Sequence, residues 1–132
     1  MKYNYNITGV HVRRGDYKNN PDIHPTCSVE YYRAAMDLIG GEFIFFSDDM
    51  NWVKENFYGK GIIYSNFTDE INDFRMLTHC NNIIGSNSTF SLWSSFLNPN
   101  KDAKMIFPKV EDWFGKNGPD ATDIVPEEYI RI

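Results

Sequence analysis

Two adjacent arginines, Arg13 and Arg14, directly follow a short apolar segment that spans residues 7–12. An arginine carries a permanent positive charge on a planar fork of N–H donors, which suits bidentate contacts with phosphate oxygens. Because side chains alternate along a strand, one arginine of such a pair points into the crevice at the strand end and the other points to its flank. The pair predicts a diphosphate clamp, and a surface arginine paired with Asp16 or Asp22 is the simpler alternative.

A second candidate anion site is the stretch GSNSTFSLW, residues 85–93, where small polar residues precede an apolar helical segment. The first backbone N–H groups of a helix lack partners inside the helix, and the helix dipole favours a negative charge there. The hydroxyl groups of Ser88, Thr89 and Ser91 can add hydrogen bonds to a phosphate. Ordinary capping of the helix by Asn87 or Ser88 is an equal alternative. The sequence contains neither GxxxxGK[ST] nor GxGxxG, so the familiar nucleotide loops are excluded.

A third candidate is Asp73, in the early turns of the helix predicted within NDFRMLTHC. Its carboxylate can accept hydrogen bonds from N1 and the exocyclic amine of a guanine. The alternative is an acid that stabilises the start of its own helix.

The acidic pair Asp48-Asp49 resembles the DxD motif of metal-dependent enzymes only superficially, because the two aspartates are adjacent. Helix capping is the role expected of them. His24 and His79 lack the spacing of zinc ligands. We therefore predict no metal site.

The bulk properties of the chain limit its class. Its 132 residues predict a single domain over residues 1–132. The net charge of −5 argues against nucleic-acid binding, which usually requires a basic face. The sequence has no apolar run of membrane-spanning length and no signal segment, and Cys27 and Cys80 form no disulfide framework. We expect a cytoplasmic protein, with a peripheral position at the membrane as an option.

Apolar strand patterns alternate with helical patterns along the chain. The predicted strands are 7–12, 42–47, 61–65, 82–86 and 103–108, and the predicted helices are 28–39, 49–58, 69–80 and 88–97. We expect Ser28 and Thr68 to cap helices and the strand 61–65 to be buried. The alternation predicts an α/β fold, a Rossmann-like three-layer sandwich with a mostly parallel sheet. Ligands bind beyond the carboxyl ends of such strands, so the candidate residues above should line one edge of the sheet.

Several of these stretches occur in one order that resembles a known family. They are HVRRGDY, SVEYYRAA, FIFFSDDMNWVKENF, DFRMLTHCNNIIGSNSTFSLWSSFLN and KMIFPKVEDWF, and they cover about residues 7–114. The chain is thereby identified as similar to the α-1,2-fucosyltransferases, glycosyltransferase family 11. The HxRRGDY and NSTFSxW motifs are the most specific parts of the match.

The resemblance implies a function and a set of site residues. Family members transfer L-fucose from GDP-β-L-fucose to a hydroxyl, usually of a terminal galactose, with inversion and without a metal. The resemblance also implies that this chain is equivalent to the C-terminal, donor-binding half of a GT-B glycosyltransferase. Arg13 is then expected to contact the diphosphate, with Asp16 as the nearest candidate for the catalytic base. The other expected donor-binding residues are His11, Arg14, Asp73, Asn87, Ser88, Thr89, Phe90 and Ser91.

The chain also departs from the family pattern. Full-length members are roughly twice as long, so we expect this chain to lack the N-terminal acceptor-side domain. Leu92, Ser94 and Ser95 replace residues expected in the NSTFSxW helix, where they should affect packing more than donor contact. The chain is then a naturally short relative, a donor-binding half of a longer protein, or a protein whose acceptor site is supplied by a separate partner or a second copy. The alternatives are a non-catalytic sugar-binding or nucleotide-sugar-binding module, and an α-1,6- or peptide O-fucosyltransferase of the same fold.

Overall fold

A single parallel sheet organises the computed structural model, which describes residues 6–66 and 69–132. Its strands, numbered in chain order, are β1 Ile7–Val12, β2 Glu42–Ser47, β3 Ile62–Tyr64, β4 Asn82–Ile84, β5 Met105–Phe107 and β6 Ile130–Arg131. They lie side by side in the order β3-β2-β1-β4-β5-β6, and every neighbouring pair runs parallel. This is the strand order of the doubly wound Rossmann fold.

Helices connect the first five strands. They are α1 Val29–Ile39, α2 Met50–Asn56, α3 Glu70–Thr78 and α4 Thr89–Phe96, with short 3₁₀ turns at Tyr17–Asn19 and Val110–Asp112. Each α-helix begins after a side chain that accepts a hydrogen bond from a backbone N–H of the first turn: Ser28, Asp49, Asp69 and Ser88. These caps satisfy donors that a helix leaves unpaired, so polar residues in the sequence set where the helices start.

Helices cover both faces of the sheet, as the continuous apolar runs of its inner strands require. On one face, α1 and α2 pack with the sheet through Val10, Val12, Tyr32, Ala35, Phe43, Phe45, Val53, Phe57, Ile84 and Ile106. On the other face, α3, α4 and the C-terminal segment pack through Ile44, Phe46, Leu77, Cys80, Ile83, Leu92, Phe107 and Trp113. The predicted three-layer Rossmann-like sandwich is therefore confirmed.

The connection from β3 to β4 crosses from the β3 edge of the sheet, past β2 and β1, to the other side of β1. Successive strands are added outward from β1 as β2 and β3, and then on its other side as β4, β5 and β6. The order therefore reverses between β1 and β4, and their carboxyl ends flank the crevice in which such folds bind ligands. His11 lies near the end of β1, Arg13 directly follows that strand, and Ser86 follows β4.

The structure corrects two predictions about the elements. A sixth strand, β6, pairs in parallel with β5, whereas the sequence predicted five strands. The strand β3 lies at the edge of the sheet and has an exposed residue at its centre, so its predicted burial is wrong. The other predicted strands and helices are confirmed with ends shifted by at most two residues. The predicted cap Thr68 lies outside the described residues.

Candidate functional site

A cleft of about 210 Å³ opens at the carboxyl ends of β1 and β2, beside the starts of α3 and α4. We call it the Arg13 cleft. Its lining residues are His11, Arg13, Phe46, Ser47, Asp48, Asp69, Glu70, Asp73 and Phe90. The structure therefore brings together four of the predicted site residues, His11, Arg13, Asp73 and Phe90, although up to 79 positions separate them along the chain.

A larger cavity of about 450 Å³ lies at the opposite edge of the sheet, near the amino ends of β5 and β6. Lys101, Lys104 and Tyr129 are among the residues that line it. Ligands of parallel α/β sheets bind at the carboxyl edge, where this chain also concentrates its predicted site residues. The Arg13 cleft is therefore the candidate functional site.

Arg13 reaches from the end of β1 into the cleft, where two carboxylates hold its guanidinium. Its Nη2 donates to Asp16 Oδ1 at 2.9 Å, and its Nε lies 3.4 Å from Asp48 Oδ2. The guanidinium carbon also sits 5.2 Å from the ring centre of Tyr17. The Nε atom is buried but makes no hydrogen bond of acceptable geometry to the described residues. A buried donor left without such a bond costs roughly 1–3 kcal/mol, which suits a residue that serves a ligand better than one that serves stability.

Arg14 turns to the flank of β1 and away from the cleft. Its Nε donates to Asp49 Oδ2 at 3.3 Å, and its guanidinium carbon lies 4.3 Å from the ring centre of Trp52. These contacts tie the end of β1 to the start of α2. The alternation expected of the arginine pair is thus observed, with Arg13 in the cleft and Arg14 on the flank.

Asp48 organises the turn that carries both arginines. Its Oδ1 accepts a hydrogen bond from the backbone N–H of Arg14 at 2.8 Å, while Oδ2 faces Arg13. A Cβ atom at Gly15 would lie 2.4 Å from Asp48 Oδ2, so only glycine allows the chain to pass this close to the carboxylate. Sequence reasoning missed this residue as part of the site, because a strand-end aspartate beside a helix start is typical of a cap.

His11 joins the two strands that flank the crevice. Its Nδ1 lies 2.9 Å from Ser86 Oγ and 3.0 Å from Ser91 Oγ, and its ring stacks on Phe90 at 4.7 Å between centroids. Burial holds the pKa of His11 at about 3, far below its usual 6.5, while Asp48 raises this pKa and Arg13 lowers it by smaller amounts. A neutral imidazole therefore links β1, the loop after β4 and α4. Ser86 was also missed, since one serine in a run of small polar residues carries no separate signal.

At the start of α4, some polar side chains hydrogen-bond within the protein and one is exposed to solvent. Ser88 Oγ accepts from the backbone N–H of Phe90 at 3.2 Å, and Thr89 is exposed in the first turn. Asn87 is buried, and its amide donates to the carbonyls of Pro25 at 2.7 Å and Trp113 at 2.8 Å. Asn87 thus anchors two distant segments against the start of α4, while Ser91 is engaged by His11.

The replaced residues Leu92, Ser94 and Ser95 are all buried. Ser94 and Ser95 donate to backbone carbonyls of their own helix, Phe90 O at 2.9 Å and Leu92 O at 2.6 Å. None of the three lines the Arg13 cleft. The three residues therefore lie in the core, away from the lining of the cleft, and their effect on packing stays a prediction.

Three carboxylates from the start of α3 also line the cleft: Asp69, Glu70 and Asp73. Asp73 accepts a hydrogen bond from the hydroxyl of Ser65. Burial raises the pKa of Asp73 above its usual value, the Ser65 hydrogen bond opposes this change, and the negative charges of Asp69 and Glu70 add to it. Asp73 therefore faces the cleft as an acceptor held in place by a neighbouring hydroxyl.

Asp16, the remaining predicted residue, lies at the mouth of the site. Its side chain is 77% exposed and pairs with Arg13, which agrees with the simpler of the two interpretations of the arginine.

Among the described residues, no helix has both the length and the apolarity needed to cross a bilayer.

Comparisons with known proteins identify the family of the chain. The model of the family described as "Glycosyl transferase family 11" matches residues 2–125. The chain is 33% identical to the O-antigen biosynthesis glycosyltransferase WbnK of Escherichia coli, with 86% of this chain and 41% of that protein covered. It is 31% identical to an alpha-1,2-colitosyltransferase of Escherichia coli, with 96% and 48% covered.

A mammalian relative has a similar degree of identity. The chain is 33% identical to galactoside alpha-(1,2)-fucosyltransferase 2 of Rattus norvegicus, with 69% of this chain and 29% of that protein covered. The chain thus spans less than half the length of each of these three relatives. No solved structure matches it significantly. Since the family model fits nearly the whole chain, the chain belongs to glycosyl transferase family 11.

Proposed function

We propose that this chain is the donor-binding part of an α-1,2-fucosyltransferase and that its Arg13 cleft binds GDP-fucose. The observation that carries this proposal is the position of Arg13. Its guanidinium lies at the strand-order reversal of a doubly wound sheet, inside a cleft and beside the first turn of α4. A diphosphate needs such a combination of a forked cation and backbone donors.

The two ends of the cleft suit the two ends of a guanosine diphosphate. Arg13 and the start of α4 supply positive charge for the phosphates, with the exposed hydroxyl of Thr89 as a further donor. At the start of α3, the Asp73 carboxylate supplies two acceptor oxygens for N1–H and the amine of guanine. Adenine presents no such pair of donors, so this arrangement favours guanine.

The same groups support an inverting transfer. The acceptor oxygen forms a bond to the anomeric carbon of fucose while the bond from that carbon to the phosphate oxygen breaks. The electron pair of the broken bond leaves with GDP, and the hydroxyl proton passes to a base. Negative charge grows on the departing GDP, so a fixed guanidinium and helix start stabilise the transition state more than the ground state.

We propose that this reaction needs no metal, since Arg13 and the first turn of α4 provide the positive charge that a divalent ion would otherwise supply. Asp16 stays our candidate for the base. Its side chain is 77% exposed, so a proton taken there can leave to water.

The name of one relative indicates a second candidate for the sugar that is transferred. The colitosyltransferase covers 96% of the chain, so colitosyl transfer in the same α-1,2 linkage is the alternative to fucosyl transfer. The galactoside fucosyltransferases support a galactose-terminated glycan as the acceptor, presented by a separate partner or a second copy.

Free Cys27 and free, buried Cys80 support a reducing compartment such as the cytoplasm.

Calorimetric titration with GDP, GDP-fucose and ADP tests the proposal, on the wild-type chain and on Arg13→Ala. We expect guanine-selective binding that weakens at least about tenfold in Arg13→Ala, because a charge-assisted pair of hydrogen bonds is lost. Arg33→Ala is the matched control, since Arg33 lies on α1 and donates to Asn56 O. A folded wild-type chain that binds none of the three nucleotides would disprove the proposal.

A further inference from the structure

We propose that the two carboxylates on Arg13 play opposite parts in ligand binding. Asp48 is a positioning residue that stays on the arginine, whereas Asp16 occupies the place of a phosphate and leaves when a diphosphate binds. The inference rests on the proposed function, because it takes Arg13 as the phosphate ligand. It predicts that Asp16 weakens the binding of a diphosphate and that Asp48 strengthens it, which a binding experiment can measure.

Asp48 is held from several sides. Its Oδ1 accepts from the Arg14 backbone N–H at 2.8 Å, and Gly15 packs directly on Oδ2. The preceding residue, Ser47, donates its hydroxyl to Val12 O at 2.8 Å and accepts from the Asp49 backbone N–H at 2.9 Å. The carboxylate is therefore built into the junction of β1 and β2 and cannot swing away without breaking this junction.

Asp16 is held much more loosely. Its side chain is 77% exposed, against 30% for Asp48, and it begins a 3₁₀ turn without capping that turn. In the part of the chain that the structure describes, its carboxylate has no hydrogen bond other than the one to Arg13. An exposed ion pair three residues apart in sequence contributes little, and its release into water is inexpensive.

The contacts on the guanidinium are divided between the two acids. Asp48 faces the buried Nε, and Asp16 takes an Nη2 donor at the exposed side. A carboxylate and a phosphate both present two anionic oxygens that match the arginine fork. A diphosphate carries more negative charge than one carboxylate, so it can displace Asp16 from Nη2 while Asp48 keeps the guanidinium plane in place.

Two isosteric substitutions, Asp16→Asn and Asp48→Asn, test the division, with inorganic pyrophosphate and GDP as the titrated ligands. Asp16→Asn removes a competing charge, so we expect binding about threefold tighter. Asp48→Asn keeps an oxygen for the Arg14 N–H but loses the charge that orients Arg13, so we expect binding about tenfold weaker. In an Arg13→Ala background, Asp16→Asn should no longer tighten binding, as followed by NMR at millimolar pyrophosphate.

Thermal unfolding without ligand separates positioning from stability. We expect Asp48→Asn to unfold within about 2 °C of wild type while the rise caused by pyrophosphate shrinks. If that variant does not fold, Asp48→Glu keeps the charge and displaces it, and the same loss of affinity is expected.

The outcomes keep this inference apart from the proposed function. If the wild-type chain binds GDP and Arg13→Ala does not, the proposed function stands. Weaker binding in Asp16→Asn, or unchanged binding in Asp48→Asn, would then overturn the inference alone. A wild-type chain that binds neither pyrophosphate nor GDP would overturn both.

Discussion

The buried imidazole of His11 makes the stability of the chain depend on pH. Its pKa in the folded state is about 3, whereas an unfolded chain has the ordinary 6.5. Between these values the unfolded state binds a proton that the folded state excludes, so stability falls as the pH decreases. The contribution is fully present above about pH 6.5 and shrinks by about 1.4 kcal/mol for each pH unit below it.

Urea unfolding of wild type and His11→Asn at pH 7 and pH 5 measures this contribution. The asparagine keeps a polar group near Ser86 and Ser91 but does not titrate in this range. We expect the stability advantage of wild type over the variant to fall by about 2 kcal/mol between pH 7 and pH 5. An advantage that is equal at both pH values would show that folding leaves the pKa of His11 unchanged.

Asp73 provides a second test at the level of one residue. If its carboxylate accepts from guanine, Asp73→Asn presents an amide donor where an acceptor is needed. We expect GDP to bind about tenfold more weakly and inorganic pyrophosphate to bind unchanged. Calorimetry with both ligands decides the point. Equal losses for the two ligands would instead assign Asp73 to the architecture of α3.

The residue types at the site follow from the sequence better than their contacts do. The alternation of side chains predicted that Arg13 and Arg14 would separate, and the structure confirms it. The partners depend on turns that no periodicity describes. Asp48 reaches Arg13 and the Arg14 N–H only because Gly15 lets the chain pass beside it. Motif reading found the cation, and three-dimensional packing was needed to find the anion that orients it.

At the level of elements, the close packing of α3 on β1 depends on Gly9. A Cβ atom there would lie 2.5 Å from Leu77 Cδ1 and 2.9 Å from Cys80 Sγ, both in the core. We expect Gly9→Ala to lower the free energy of unfolding by about 1–3 kcal/mol, because α3 must move away from the sheet.

Urea unfolding of Gly9→Ala, Leu77→Ala and the double variant measures this packing. Leu77→Ala removes the clashing methyl group, so the two losses should combine to less than their sum. Strict additivity, or a neutral Gly9→Ala, would mean that α3 does not limit the space beside β1.

The two longest strands were predicted to the residue, whereas the shortest strand was missed and the burial of the edge strand β3 was predicted wrongly. The six-residue strand β2 carries an unbroken apolar run and β1 is largely apolar, and their predicted bounds match the observed ones. The two-residue strand β6 is too short for any alternation to be visible, and it forms because Ile130 and Arg131 meet the open edge of β5. Burial of β3 was overpredicted because apolar residues look alike at the centre and at the edge of a sheet. Whether a strand lies at the centre or at the edge depends on the order in which all strands of the sheet pair, and no single stretch of sequence shows that order.

The whole molecule leaves its candidate site open on one side. The Arg13 cleft holds about 210 Å³, less than the roughly 300–1,000 Å³ of pockets that enclose drug-sized ligands. A nucleotide sugar in this cleft would therefore have part of its surface in water. Efficient group transfer needs both reactants aligned and water excluded from the reacting carbon. We thus expect this chain to bind the donor without catalysing the transfer.

We therefore expect the 132-residue chain to bind GDP-fucose and yet to form no detectable fucosylated product from a galactose-terminated acceptor such as lactose. Mass spectrometry of the acceptor, at donor concentrations that calorimetry shows to be saturating, measures this. The Arg13→Ala variant is the control for background reaction. Turnover that Arg13→Ala abolishes would mean that the cleft closes around the acceptor and forms a complete active site. Binding without turnover would place the missing wall of the site on another polypeptide segment, which the acceptor needs in order to reach the anomeric carbon.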